Sequence, residues 1–139
     1  MLQMAREVYG VEMNPGKIDG SSRVALIGAK AAEARGSGDA YHAAVFRAYW
    51  QESRDISDRA VLAGIAAQAG LDSAAFEVAL DDPIYEDAVL ADVDLARRYG
   101  LSGVPALVFQ DKYLVSGAQP YDALVRVTEQ VRAEMGTAQ

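Results

Sequence analysis

The chain has no cysteine. That single absence removes disulfides, thiolate metal sites and cysteine nucleophiles together, so the protein performs no thiol chemistry with its own side chains. Histidine is nearly absent too. With His42 alone and no thiolate to join it, no metal site of the usual nitrogen and sulfur donors can be assembled. Basic residues are outnumbered, 13 Lys and Arg against 20 Asp and Glu for a net charge of -7, and they form no stripe. This disfavours phosphate neutralisation, and with it a nucleic-acid partner. No apolar run approaches the roughly 18 residues needed to cross a bilayer. The opening MLQMAREVYG has neither the charged head nor the apolar stretch of a secretory signal. The expectation is a cytoplasmic protein with no membrane contact and no cofactor.

What is present is the composition of an ordinary globular domain, 139 residues with 51% hydrophobic and 24% charged side chains. Helical spacing dominates the first hundred residues. Ser22 is placed to cap RVALIGAKAAEARG, with Val24, Ile27, Ala31 and Ala34 on one face and Gly36 ending the run. Asp39 is placed to cap AYHAAVFRAYWQES, where Tyr41, Val45, Ala48 and Tyr49 share a stripe that Phe46 and Trp50 widen. Ser57 or Asp58 opens RAVLAGIAAQAG, closed by Gly70, and Asp72 opens SAAFEVAL. Asp82 followed by Pro83 starts a longer helix with Ile84, Ala88, Ala91, Leu95 and Tyr99 at spacings of three and four. Arg97 and Arg98 in its last turn complement the helix dipole.

The period then changes. Ala106 to Phe109 is a continuous apolar run, Gln110-Asp111-Lys112 supplies a turn, and Tyr113 to Val115 is a second run ended by Ser116-Gly117. Such a continuous run expects cover on both faces. Pro120 starts a final helix, YDALVRVTEQVRAEM, whose Leu124, Val127 and Val131 can lie across the hairpin. NPGKIDGSS is the loosest connection and the best candidate for a mobile loop.

Two blocks carry a resemblance: FRAYWQESRDISDRAVLAGIAAQAGLD from Phe46 to Asp72, and LARRYGLSGVPALVFQDKYLVSGAQP from Leu95 to Pro120. The second, with Gly-Val-Pro before the first strand and Gly-Ala-Gln-Pro after the second, is the more specific. Together they resemble the DsbA-like branch of the thioredoxin superfamily, most closely its FrnE-type dithiol-disulfide oxidoreductases. The fold class this implies is α/β, mostly α: a DsbA-type helical insertion domain over residues 1–100 and the closing ββα unit of a thioredoxin fold over 101–139. The opening βαβ unit, which bears a Cys-x-x-Cys pair in such relatives, is absent from this sequence.

The resemblance also implies a site. Pro105 would be the cis-proline that bends the chain, Val104 the residue whose backbone pairs with an extended peptide substrate, and Gly103 the gap that lets the peptide approach. Read without the resemblance, Pro105 is simply a first-strand proline whose missing N–H costs nothing. Phe46, Tyr49 and Trp50 could line a groove facing the absent cysteines, or serve as core. His42 reads as a partly buried structural residue. The acids of DDPIYEDAVLADVD read as first-turn carboxylates and a solvated face rather than a metal or acid-base site. Ser21, Ser22 and Ser53 have no neighbouring base to activate them.

The leading function is therefore the substrate-binding scaffold of a thiol-disulfide oxidoreductase, inactive alone. The alternatives are a non-enzymatic helical interaction module and, with less support, the related 2-hydroxychromene-2-carboxylate isomerase branch. A strand at Ala106 to Phe109 without its sheet neighbour leaves backbone groups unpaired along an apolar edge. Self-association through the Val104 to Gln110 strand is expected.

Overall fold

The computed structural model describes residues 2–15 and 20–136. Among these the element order is α1 (Leu2–Tyr9), α2 (Arg23–Glu33), α3 (Gly38–Trp50), α4 (Arg59–Gln68), α5 (Ser73–Ala79), α6 (Pro83–Arg98), β1 (Ala106–Phe109), β2 (Tyr113–Ser116) and α7 (Tyr121–Gly136). No described helix is long and apolar enough to cross a membrane. Residues 16–19 of NPGKIDGSS, the middle of the expected mobile loop, lie outside the described residues.

The chain divides into two compact units, Met1–Leu90 and Ala91–Gln139. The division falls inside α6, whereas the sequence places it at Gly100, where that helix ends. Periodicity and a terminal glycine mark where a helix stops. They do not say which of its turns pack on which neighbour.

The first unit holds the core. Tyr41, Leu62, Ile65 and Phe76 are its largest fully buried side chains, and α2, α3, α4 and α5 pack around them. Burying each such side chain contributes about 1.5–3 kcal/mol. Three aspartates start helices as their spacing suggests. Asp58 accepts from the Ala60 N–H at 2.8 Å, Asp72 from the Ala75 N–H at 2.8 Å, and Asp82 from the Ile84 N–H at 3.1 Å. Each satisfies a donor the helix cannot satisfy itself. Ser22 occupies the N-cap of α2 but makes no side-chain cap bond, and Ser37, not Asp39, is the N-cap of α3. Gly38 already belongs to that helix, which leaves Asp39 in the first turn.

Several faces turn out differently from the simple stripes. On α2 the buried residues are Ala25, Ile27, Gly28, Ala31 and Ala32, with Ala34 exposed. On α3 they are Tyr41, Ala44 and Ala48, while Phe46 is 53% exposed. The narrow alanine face reflects close packing against α2. A Cβ added to Gly28 would lie 2.5 Å from the Tyr41 hydroxyl and 2.7 Å from the Phe76 ring, so only glycine lets these helices meet there. On α6 Val89 is buried and Tyr85 half-buried, whereas Ile84, Ala91 and Leu95 are exposed. Tyr85 and Val89, not the Ile84–Leu95 row, pack on the core of the first unit.

Ion pairs and hydrogen bonds tie the helices of this unit at the surface. Arg59 forks onto both Asp81 oxygens at 2.8 and 2.7 Å and onto the Glu77 carbonyl at 3.1 Å, joining α4 to the end of α5. That hydrogen bond holds the Asp81 carboxyl below its ordinary range. Arg23 of α2 pairs with Glu86 of α6. Arg35 donates to the Tyr85 hydroxyl at 3.2 Å and lies 5.8 Å from the centre of its ring.

In the second unit, β1 and β2 form an antiparallel hairpin in the register Ala106 with Ser116, Leu107 with Val115, Val108 with Leu114 and Phe109 with Tyr113. The Lys112 N–H donates to the Phe109 carbonyl at 3.0 Å. Between them Gln110 and Asp111 both have positive φ, 52° and 53°, as a primed hairpin turn requires. No residue of either strand is buried. Two-sided cover of the continuous apolar run is therefore not found among the described residues. Leu124 and Val127 of α7 are half-buried and Val131 is buried.

Candidate functional site

The segment Ser102 to Pro105 leads into β1 with every residue exposed, and Val104 is 93% exposed. The Val104–Pro105 peptide bond is cis. A Cβ added to Gly103 would meet nothing within 4 Å, and its φ is not in the left-handed region. Neither backbone geometry nor packing within the chain demands glycine there. The space in front of it is open.

Behind this segment the backbone is fixed. The Pro105 carbonyl accepts from the Gly117 N–H at 2.8 Å, which extends the ladder one pair beyond the strand. Gly117 has φ of +76°, and the Gln119 side-chain amide donates to the Ser116 carbonyl at 2.8 Å. Pro120 follows as the residue whose carbonyl accepts from Ala123 and Leu124 at the start of α7. Gly-Ala-Gln-Pro thus has a local role. It closes β2, satisfies its last carbonyl and launches the helix.

The other end of the hairpin is braced by groups that the sequence pattern did not single out. Tyr99, just past α6, donates its hydroxyl to Asp111 in the turn, and this bond raises the phenol above its ordinary range. On the opposite side the Tyr113 hydroxyl donates to Glu134 at 2.6 and 2.8 Å, and the Lys112 ammonium at 3.2 Å. Hydrogen bonds from Tyr113, Lys112 and Gln130 hold the Glu134 carboxyl below its ordinary range. The tip is therefore pinned to α7 and to the end of α6, while the Val104 end projects free. Only the alternation of tyrosines with acids hints at this in the sequence.

The aromatic candidates lie in the first unit. Phe46 and Trp50 line a hollow of about 450 Å³ together with Val11, Met13, Ala43, Arg47 and Gln51. Tyr49 is not in this lining. It packs edge-on against Trp50 with ring centres 4.9 Å apart. The segment from Val11 to Asn14, which contributes Val11 and Met13 to this lining, is anchored by the Asn14 N–H on the Trp50 carbonyl at 2.7 Å and by the Ser53 hydroxyl on the Asn14 carbonyl at 2.9 Å. His42 is exposed, not partly buried, and stacks on Phe46 at 4.6 Å, because it lies on the outer side of α3 away from Tyr41 and Ala44. Among the described residues no group of three or more His, Asp or Glu is placed to hold a metal.

The chemistry open to the Val104 segment is therefore binding. It offers exposed backbone and an apolar side chain at the mouth of a strand, with no acid or base in residues 102–105 to activate the Ser102 hydroxyl.

A DSBA-like thioredoxin domain model matches residues 1–128. The uncharacterized protein YwbO of Bacillus subtilis is 28% identical over 120 residues, 84% of this chain and 60% of that protein. The chain thus spans well under two thirds of that relative's length. The crystal structure of a probable DsbA oxidoreductase from Streptomyces coelicolor is similar with a TM-score of 0.76 and 28% identity, over 96% of this chain and 67% of that one. A second crystal structure, from Nitrosomonas europaea, shares the fold with a TM-score of 0.67 at 22% identity, over 81% of this chain and 58% of that one. This chain, with its helical unit followed by a strand hairpin and closing helix, belongs to the DSBA-like thioredoxin domain family.

Proposed function

We propose that the chain is the client-holding part of a FrnE-type thiol-disulfide oxidoreductase. Val104 would pair with the backbone of an extended peptide, Gly103 would let that backbone approach, and Pro105 would set the bend between them. The reacting sulfurs belong to a Cys-x-x-Cys βαβ unit outside this sequence, whose thiolate attacks the client disulfide while the client lies along Val104. One observation carries the reading: an apolar residue 93% exposed at the entrance of a strand, next to a glycine that nothing in the chain requires. The unburied strands of the hairpin give further support, since they have the apolar content of a covered sheet and only partial cover.

Titration with an unstructured peptide, followed through backbone amide shifts, tests it. Shifts are expected at Gly103, Val104 and Ala106. Gly103→Ala should leave the fold unchanged, because its new methyl group touches nothing, and should weaken peptide binding about tenfold or more, the loss of about 1.4 kcal/mol when a backbone contact is blocked. Shifts confined to other surfaces, or equal binding by Gly103→Ala, would count against the reading.

A further inference from the structure

Among the described residues the arginines of the first unit have side-chain partners, with one exception. Arg6, Arg23, Arg54 and Arg59 pair with Glu12, Glu86, Glu52 and Asp81, and Arg35 donates to the Ala31 carbonyl and the Tyr85 hydroxyl. The Arg47 guanidinium is exposed and has no such partner, in a chain of net charge -7. A basic residue in the last turn of a helix ordinarily serves the free carbonyls there. At the end of α3 those carbonyls are already engaged: that of Arg47 accepts from the Gln51 and Glu52 N–H groups, that of Ala48 from Arg54 and that of Trp50 from Asn14. The helix end therefore makes no demand on the Arg47 side chain.

Arg47 lies in the lining of the hollow of about 450 Å³, a volume in the range of small-molecule sites. Phe46, Arg47, Trp50 and Gln51 reach it from one face of α3, at spacings of three and four, and Val11 and Met13 add apolar wall from a segment tied to the same helix. No acid is in the lining. Both aromatic rings are held from the side, Phe46 by His42 at 4.6 Å and Trp50 by Tyr49 at 4.9 Å, so little ordering is left for a ligand to impose. The donor set is small: one planar guanidinium, which matches a carboxylate with two parallel hydrogen bonds, and one amide beside it. A doubly charged phosphoryl group would need more donors than these to leave water for an otherwise apolar hollow.

We propose that this hollow is a binding site for a small aromatic monocarboxylate, whose carboxylate is held by Arg47 and Gln51 and whose ring packs on Phe46 and Trp50. The site belongs wholly to the first unit and uses none of the groups that the peptide titration at Gly103 and Val104 reads, so the two outcomes are independent.

Trp50 is the only tryptophan of the chain, and its fluorescence reports the hollow without a label. Titration of the full chain with phenylacetate is expected to give a saturable change with a dissociation constant of about 1 mM or tighter, as a ligand of this size allows. Phenylacetamide, of the same shape without the charge, should bind about tenfold or more weakly, and Arg47→Gln should weaken phenylacetate by a similar factor. Arg98→Gln makes the same change of charge on an exposed residue of the second unit and should leave binding as it was. Phe46→Ala should weaken the acid and the amide alike. An unchanged circular dichroism spectrum is the folding control for each variant. Equal binding of acid and amide overturns the proposal, as does equal loss in Arg47→Gln and Arg98→Gln. Tighter binding of octanoate than of phenylacetate overturns the aromatic assignment, and no saturable change by about 10 mM overturns the site itself.

Discussion

Tyr41→Phe should make the helical unit more stable. The Tyr41 ring is fully buried, tilted against Phe76 with ring centres 5.3 Å apart, and its hydroxyl has no hydrogen-bond partner among the described residues. Burial pushes the phenol well above its ordinary range. A buried, unpaired hydroxyl costs about 1–3 kcal/mol. Removing it leaves a void smaller than a water site, under about 15 Å³, which at about 24 cal/mol per Å³ costs below about 0.4 kcal/mol. The net gain is about 0.6–2.6 kcal/mol. For a unit of this size each kcal/mol moves Tm by about 4–8 °C, so thermal unfolding followed by circular dichroism resolves it. A companion variant locates the cause. Gly28→Ala should destabilise by overpacking, about 1–3 kcal/mol against about 1 kcal/mol gained in helix propensity. It should do less harm in the Tyr41→Phe background, where the nearest clashing atom is gone. A Tyr41→Phe variant that unfolds earlier than the parent would refute the reasoning, by showing that the hydroxyl has a partner.

Other consequences follow from the same structure. Asp58→Ala and Asp72→Ala each remove a side-chain cap and should cost about 1 kcal/mol in urea unfolding; no loss in either would mean the caps are ornamental. Glu134 is held below its ordinary range by the hydroxyl and ammonium it accepts from. Its contribution is therefore complete above the unfolded carboxyl value of about 4.3 and is lost as pH falls through the lower folded value. Amide exchange in β2 and α7 should speed up in that acid window in the parent, and Glu134→Gln should flatten the dependence. An acid response identical in Glu134→Gln would assign it to other carboxylates.

Elements set by local chemistry were legible in the sequence. Asp58, Asp72 and Asp82 cap helices because a short carboxylate beside free N–H groups does so in almost any context. The hairpin from Ala106 to Ser116 and the helix after Pro120 follow from a change of period and from turn residues. Facing was harder to read. In α6, Ile84, Leu90, Val93 and Leu95 are all substantially exposed, so apolar residues surround the helix and only the neighbours select Tyr85 and Val89. Likewise the burial of β1 depends on what covers it, which its own run of apolar residues cannot specify. Small residues misled in a different way: the alanines and Gly28 make the close helix contacts, and that displaces Phe46 to the surface. The bonds from Tyr99 to Asp111 and from Tyr113 to Glu134 join positions 12 and 21 apart. Such distances leave no periodic trace. Of the candidate residues, Gly103, Val104 and Pro105 are consecutive and read together, whereas Tyr49 separates from Phe46 and Trp50 because it lies outside the hollow that those two line with Val11 and Met13.

A photoreactive amino acid placed at position 104 tests most directly whether a client is held there. Val78 of α5, 75% exposed and also apolar, is the matched control. Irradiation with an unfolded client protein should give crosslinks at position 104 and few at position 78. Equal yields at the two positions, or none at 104, would contradict the assignment of this segment as the place where a client is held.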